Sequence, residues 1–233
     1  MTLRAEQLRE VVIDFFFPPR CIGCGKAGKF LCDPCLHRLP RIFPPICSKC
    51  GRPESTATFC PSCWGRQSNI DGIRSAFRFD GVVRKAIHEL KYRDLRAIAG
   101  QLAALLAQHL ASVPLPGDIL VPVPLHNQRM RERGYNQSVL ISREVSKLIK
   151  LPVEESCLVR SKNSPPQART SNADQRLANV ADAFSCINQK LNSKRVILID
   201  DVCTTGATLE ACATTLKSSG ASSVWGLTLA RDI

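Results

Sequence analysis

Four Cys-x-x-Cys units crowd the first 64 residues of the chain, at Cys21/Cys24, Cys32/Cys35, Cys47/Cys50 and Cys60/Cys63. A two-residue gap lets a tight knuckle aim two thiolates at one ion, and two knuckles complete a tetrahedral four-cysteine zinc site. Gly23, Gly25 and Gly51 supply turn freedom near the knuckles, and Lys26, Lys49 and Arg52 can offset the excess negative charge of four thiolates around one zinc. A disulfide framework needs an oxidising compartment, to which the sequence shows no route, and four regular copies argue against a redox dithiol. The eight cysteines therefore read as ligands of structural zinc. Consecutive pairs would give two ribbons and interleaved pairs a cross-braced unit, and the spacing fits both. With eight thiolates available, His37 is not needed as a ligand. A segment this short cannot bury enough apolar surface to fold unaided, so metal binding would supply its stability. Its aromatic surface, Phe30, Phe59 and Trp64, is thin for base stacking.

The length of 233 residues suits one full domain with a small appendage, divided as residues 1–66 and 67–233. Leu8, Val11, Val12, Phe15 and Phe16 follow the i, i+3, i+4, i+7, i+8 spacing of an amphipathic helix, which Pro18 and Pro19 end. Glu6, Glu10 and Asp14 interrupt the same stretch, so it does not read as an export signal. No apolar run approaches the roughly 20 residues that span a bilayer. These features predict a cytoplasmic protein without a transmembrane segment. The net charge of +12 favours polyanionic partners, whether nucleic acid, phosphorylated metabolites or an anionic membrane surface.

Beyond Trp64, short strand-like runs alternate with longer helical ones. Strands are predicted at Gly72–Phe79, Asp118–Pro124, Arg195–Asp201 and Ser223–Ala230. Helix faces are marked by Ile98, Leu102, Leu105, Leu106 and His109, by Ile141, Val145, Leu148 and Ile149, and by Leu209, Cys212, Ala213 and Leu216. This alternation predicts an α/β fold, a twisted parallel sheet with helices on both faces. Cys157, Cys186, Cys203 and Cys212 lack metal spacing and read as small apolar fillers.

The strand "VILIDD" ends in two adjacent carboxylates, Asp200 and Asp201, at the end of a parallel strand where ligands of such sheets bind. Neighbouring carboxylates repel and need donors or positive charge; the vicinal hydroxyls of a sugar fit, and so does a divalent metal. Thr204, Thr205, Gly206 and Thr208 follow, just before a helix whose first N–H groups lack intrahelical partners, which is where a phosphate would sit. The pair and the turn thus read as a site for a sugar beside a phosphate. An apolar strand with acids also suits a nucleotide triphosphatase, but no G-x-x-x-x-G-K-[ST] occurs in the chain.

The run "VILIDDVCTTGAT" resembles the phosphoribosyl diphosphate (PRPP) motif of type I phosphoribosyltransferases. Together with the four Cys-x-x-Cys units, "LKYRD" (Leu90–Asp94), "VPVPLHNQRMRERGYNQS" (Val121–Ser138) and "LTLAR" (Leu227–Arg231), it makes the chain similar to the ComF/GntX family of competence and DNA-utilisation proteins over nearly its whole length. The resemblance implies a type I phosphoribosyltransferase-like sheet behind a zinc-ribbon-like domain. It also implies a PRPP-binding segment of Asp200, Asp201, Val202, Cys203, Thr204, Thr205, Gly206, Ala207 and Thr208. The two aspartates would hold the ribose hydroxyls, Thr204 to Thr208 would cradle the 5-phosphate, and Mg²⁺ would bridge the diphosphate. Arg129, Arg131 and Arg133 are the candidates to hold the diphosphate, since guanidinium groups pair with its oxygens in a bidentate way; with Asp200 and Asp201, Arg133 is expected to carry catalysis.

Gly134 would permit close backbone approach, Lys91 and Tyr92 fit equally a reach into the same cleft and a solvated helix end, and His126 reads as incidental. The polar, basic stretch Ser161–Val180 suits a lid or an ordinary loop, with Gln167, Arg176 and Asn179 its most ligand-like members. Two functions stand against each other: an enzyme moving a phosphoribosyl group from PRPP to an acceptor, and a non-catalytic sensor of PRPP or a nucleotide that docks single-stranded DNA or DNA-uptake proteins.

Overall fold

The computed structural model describes residues 18–56, 58–160, 183–188 and 190–233. The predicted helix before Pro18 and the candidate lid residues Gln167, Arg176 and Asn179 lie outside the described residues.

Residues Val196 to Ile199 are wholly buried, because their strand has neighbours on both sides and layers on both faces. Four parallel strands, β1 (Gly72–Arg78), β2 (Ile119–Pro122), β5 (Arg195–Cys203) and β6 (Ser223–Arg231), form one sheet in the order β1-β6-β5-β2. A short antiparallel pair, β3 (Leu158–Arg160) and β4 (Phe184–Cys186), stands apart from it. The expected twisted parallel sheet with flanking helices is therefore present. Strand alternation sends Ile197 and Ile199 into one core and Val196 and Leu198 into another.

The first core is covered by three helices: α2 (Gly81–Tyr92), α3 (Ala99–Ser112) and α5 (Gln137–Ile149). The second is covered by α6 (Ala207–Ser218) and the β3–β4 pair. Helix α2 did not emerge from the sequence reading, although Val83, Ala86, Ile87 and Leu90 line its buried side at helical spacing and the Asp80 carboxylate accepts from the Gly81 N–H to start it. Cys157, Cys203 and Cys212 are buried fillers as expected, and Cys186 is half-buried.

The N-terminal cysteines pair consecutively. Cys21, Cys24, Cys32 and Cys35 form one group and Cys47, Cys50, Cys60 and Cys63 another, the four sulfurs of each within 4.8 Å of one another. The short helix α1 (Asp33–His37) follows Cys32, and His37 at its end is exposed. The first group packs through Leu31 against the α2–α3 core, where the Leu31 N–H donates to Gln101 Oε1 at 2.9 Å.

The stretch between the groups lies along β1, which would otherwise be an open edge. Ile42 N–H donates to Ala76 at 3.0 Å, Arg78 N–H to Pro40 at 2.8 Å and Ile73 N–H to Lys49 at 2.7 Å. The β2 edge is closed in the same way by Pro152 to Glu154.

Gly51 makes the closest of these approaches. Its φ is +73°, and a Cβ there would overlap the Ile73 carbonyl oxygen. Gly51→Ala is expected to lower stability by about 2–3 kcal/mol through left-handed strain and this overlap, a fall of roughly 5–10 °C in melting temperature for a chain of this size. Differential scanning calorimetry checks it, with exposed Gly25→Ala as the control for strain alone.

Candidate functional site

Asp200 and Asp201 stand near the C-terminal end of β5, and each carboxylate has found a different partner. Asp201 Oδ2 lies 2.8 Å from Lys91 Nζ at the end of α2, with the two side chains only 4% and 20% exposed, so solvent screens the pair weakly. Asp200 Oδ1 accepts from Ser138 Oγ at 3.0 Å and from the Asp201 N–H at 2.9 Å. Burial, then the neighbouring Asp201 carboxylate, push the Asp200 carboxyl up to about 7, against the opposite pull of Lys91, the Asp201 N–H and the Ser138 hydroxyl. One strand end thus holds a carboxylate paired with lysine beside a carboxyl that burial pushes up to about 7.

The turn that follows is built by Gly206, whose φ of +84° makes it the left-handed cap of α6. Thr205 Oγ1 accepts from the Ala207 N–H at 3.3 Å. Thr204 and Thr205 are exposed and Thr208 half-buried, so their hydroxyls face or border solvent. Cys203 and Ala207 are buried and Val202 packs on the first core. These three can offer a ligand backbone groups only.

The arginine motif forms a short helix. His126 caps α4 (Asn127–Arg133), its Nδ1 accepting from the Gln128 N–H at 3.1 Å, and Gly134 follows at φ +76° as the C-cap. His126 thus opens the helix and Gly134 closes it. Being four apart, Arg129 and Arg133 share a helix face and both line a cavity of about 480 Å³ with Lys91, Tyr92, Tyr135 and Gln137. Arg131, two residues from each, is exposed and does not line it. Arg133 donates to Gln137 Oε1 and lies 5.5 Å from the centre of the Tyr92 ring.

Because Lys91 both lines this cavity and pairs with Asp201, the cavity adjoins the acid pair. Ser138, Tyr135 and Gln137 escaped the sequence reading as site residues. Their signal lay in "GYNQS", directly after the arginines, where Asn136 caps α5 by accepting from the Ser138 N–H at 2.9 Å and so turns Ser138 toward β5.

The cysteine groups fit zinc on their own geometry. Tetrahedral coordination at about 2.3 Å puts sulfurs about 3.8 Å apart, and Cys24–Cys32 and Cys50–Cys60 sulfurs lie at 3.5 and 3.7 Å. The N–H groups of Cys32 and Cys60 point at Cys21 and Cys47 Sγ, each at 3.4 Å. Although burial raises these two thiols, such backbone donors bring both down to about 6, while Cys32, Cys35, Cys50 and Cys63 beside them are raised, so without metal the first thiolate of each group disfavours the others.

Residues 12–68 match the model of the double zinc ribbon domain. Competence protein F of Haemophilus influenzae is 31% identical over 227 residues, covering 91% of this chain and 97% of that protein. The chain belongs to the ComF family. The DNA utilization protein YhgH of Escherichia coli is a further ComF relative, 27% identical over 87% of this chain and 91% of its own. Among solved structures, the glutamine PRPP amidotransferase of Bacillus subtilis, complexed with ADP and GMP, aligns with 57% of the ComF chain and 26% of its own at 20% identity and a TM-score of 0.40. No helix among the described residues is long and apolar enough to cross a membrane.

Proposed function

We propose that this ComF protein binds PRPP with Mg²⁺ and transfers the phosphoribosyl group to an acceptor, in the service of DNA uptake or utilisation. The names of its relatives support the cellular setting, and reduced thiolate ligands suit the cytoplasm. One observation carries the biochemical part: a strand-end acid pair lies between a threonine–glycine turn opening α6 and a cavity lined by Arg129, Arg133 and Lys91.

In this reading Thr204, Thr205 and Thr208 and the first N–H groups of α6 hold the 5-phosphate, helped by the helix dipole. Asp200 and Asp201 accept from the ribose hydroxyls, and the ionised carboxylates favour the positive charge that develops at the anomeric carbon as pyrophosphate leaves. Lys91 moves from Asp201 toward the diphosphate, where Arg129 and Arg133 wait. Among the described residues only the cysteine groups bring three or more metal-ligating side chains together. The site therefore suits a magnesium ion carried by the diphosphate and at most one or two carboxylates. Such an ion supplies charge neutralisation to the leaving group.

Isothermal titration with PRPP and Mg²⁺, followed by a pyrophosphate-release assay over bases, amines and nucleotides, tests the proposal. Binding is expected, and its absence would reject the reading. Release with one acceptor class establishes transfer, whereas binding without release from any acceptor would leave a sensor and reject the enzyme.

A pH dependence follows as well. The ribose hydroxyls need the ionised form of Asp200, whose carboxyl titrates near 7, so affinity should rise about tenfold from pH 6 to pH 8. Asp200→Asn should flatten that profile, and an unchanged slope in the variant would remove Asp200 from the ribose contact.

A further inference from the structure

Arg231, the last residue of β6 and of the "LTLAR" motif, is 2% exposed. Its guanidinium meets two groups among the described residues: Nη1 donates to the Cys50 carbonyl oxygen at 2.7 Å and to Cys203 Sγ at 3.1 Å, while Nε finds no acceptor. A buried cation with neutral partners is costly unless an anion lies near. Cys203 does not supply it, since burial pushes its thiol up to about 11. The second cysteine group lies directly beside the guanidinium through Cys50 and, with zinc, would carry two net negative charges. Arg74 adds a second cation there, donating to the Ser48 carbonyl at 3.0 Å and lying 5.1 Å from the Trp225 ring. Beside the first group, by contrast, Lys26 and Lys29 are exposed.

The other end of the contact is the ligand turn. Cys203 is the register partner of Arg231 in the sheet, its carbonyl accepts from the Asp232 N–H at 2.9 Å, and Thr204 is its next residue. The second group also reaches the turn from outside: Lys49, Cys50, Cys63, Thr205 and Gly206 line one small crevice of about 60 Å³.

We propose that Arg231 is a positioning residue, joining the second zinc centre to the turn Cys203–Thr208 so that the charge of that centre holds the turn in its ligand-ready form. The inference rests on the PRPP reading for the purpose of the turn, but not for the coupling itself. Loss of the second zinc should loosen the turn, and loss of the first should not.

Hydrogen exchange by mass spectrometry on full-length, zinc-loaded, ligand-free protein tests it. Cys63→Ser in the second group and Arg231→Met should each raise exchange over residues 203–208 about tenfold, with no further rise in the double variant, while Cys24→Ser in the first group leaves it unchanged. Arg231→Met should also speed loss of one zinc of two to a chelator, and Arg231→Lys, which keeps the charge, should restore retention in part. Equal loosening by Cys24→Ser and Cys63→Ser, or wild-type exchange and zinc retention in Arg231→Met, would overturn the proposal.

Should Arg231→Met not fold, Arg231→Lys and stepwise zinc withdrawal from the wild type give the same comparison: turn exchange must rise with loss of the second zinc and stay flat with loss of the first. Titrating PRPP and Mg²⁺ into the same proteins separates the two readings. A wild type that fails to bind rejects the PRPP reading and leaves the exchange pattern standing. A wild type that binds while exchange is the same in all variants rejects the coupling alone.

Discussion

Replacing Asp200 and Asp201 together by asparagine should weaken PRPP binding by at least about a hundredfold and abolish the rise in melting temperature that PRPP and Mg²⁺ produce. Each carboxylate is assigned a charge-assisted hydrogen bond to a ribose hydroxyl, about 1.5–3 kcal/mol apiece, so two lost bonds amount to a factor of roughly 10² to 10⁴. Zinc content should not change, because neither residue touches the cysteine groups. Thermal-shift titration with PRPP and elemental analysis read the two quantities, and an undiminished shift would remove the acid pair from the ribose.

The single change Asp200→Asn has a second, opposite effect on the free protein. The Asp200 carboxyl sits near 7 in the fold against about 4 in an unfolded chain. The folded state therefore binds the proton more tightly, and ionisation opposes folding above that window. The penalty is absent below about pH 4, grows as pH rises through 7 and is full above it. Asparagine cannot ionise, so the ligand-free variant should melt higher than the wild type at pH 8 and gain nothing below about pH 4, the sign expected when a binding site is held at the expense of stability. Asp201→Asn should not share this gain, since it deprives Lys91 of its buried partner.

The parts of this molecule that sequence reasoning reached are those whose physical signal is local. The β5 strand announces itself as an unbroken apolar run because it is buried on both faces, and the turn after it by threonine and glycine at a helix start. Cysteine spacing pointed to metal, but only the fold distinguishes consecutive from interleaved pairing, because knuckle spacing is indifferent to which knuckles meet. Helix α2 is legible in Val83, Ala86, Ile87 and Leu90, whose spacing marks one helix face. The short α4 is not, since its seven residues hold three arginines and no buried face. Non-local contacts left no trace: Lys91 meets Asp201 across 110 residues of chain and Ser138 meets Asp200 across 62. Arg231 lies one residue beyond the predicted strand, and nothing in "LTLAR" announces that Cys50 of the second ribbon meets its side chain.

Stripping both zinc ions should do more damage than any single substitution here, and the damage should spread into the sheet. Structural zinc in small domains contributes about 10–16 kcal/mol per site, against a net stability of about 5–15 kcal/mol for a whole domain, so the ribbons cannot remain folded without it. Their unfolding takes with it the backbone bonds that cover the β1 edge, from Ile42 to Ala76 and from Ile73 to Lys49, and uncovers Leu31, Leu39 and Ile42, all under 9% exposed. An open parallel edge beside fresh apolar surface is a template for association. Treatment with a strong chelator under reducing conditions should therefore lower the melting temperature by more than about 10 °C and turn a monodisperse sample into aggregates by light scattering. Reductant alone should change neither quantity, because none of the twelve cysteines is in a disulfide. A stripped protein, shown metal-free by elemental analysis, that kept its melting temperature and stayed monodisperse would overturn the view that zinc holds the ribbons against the sheet.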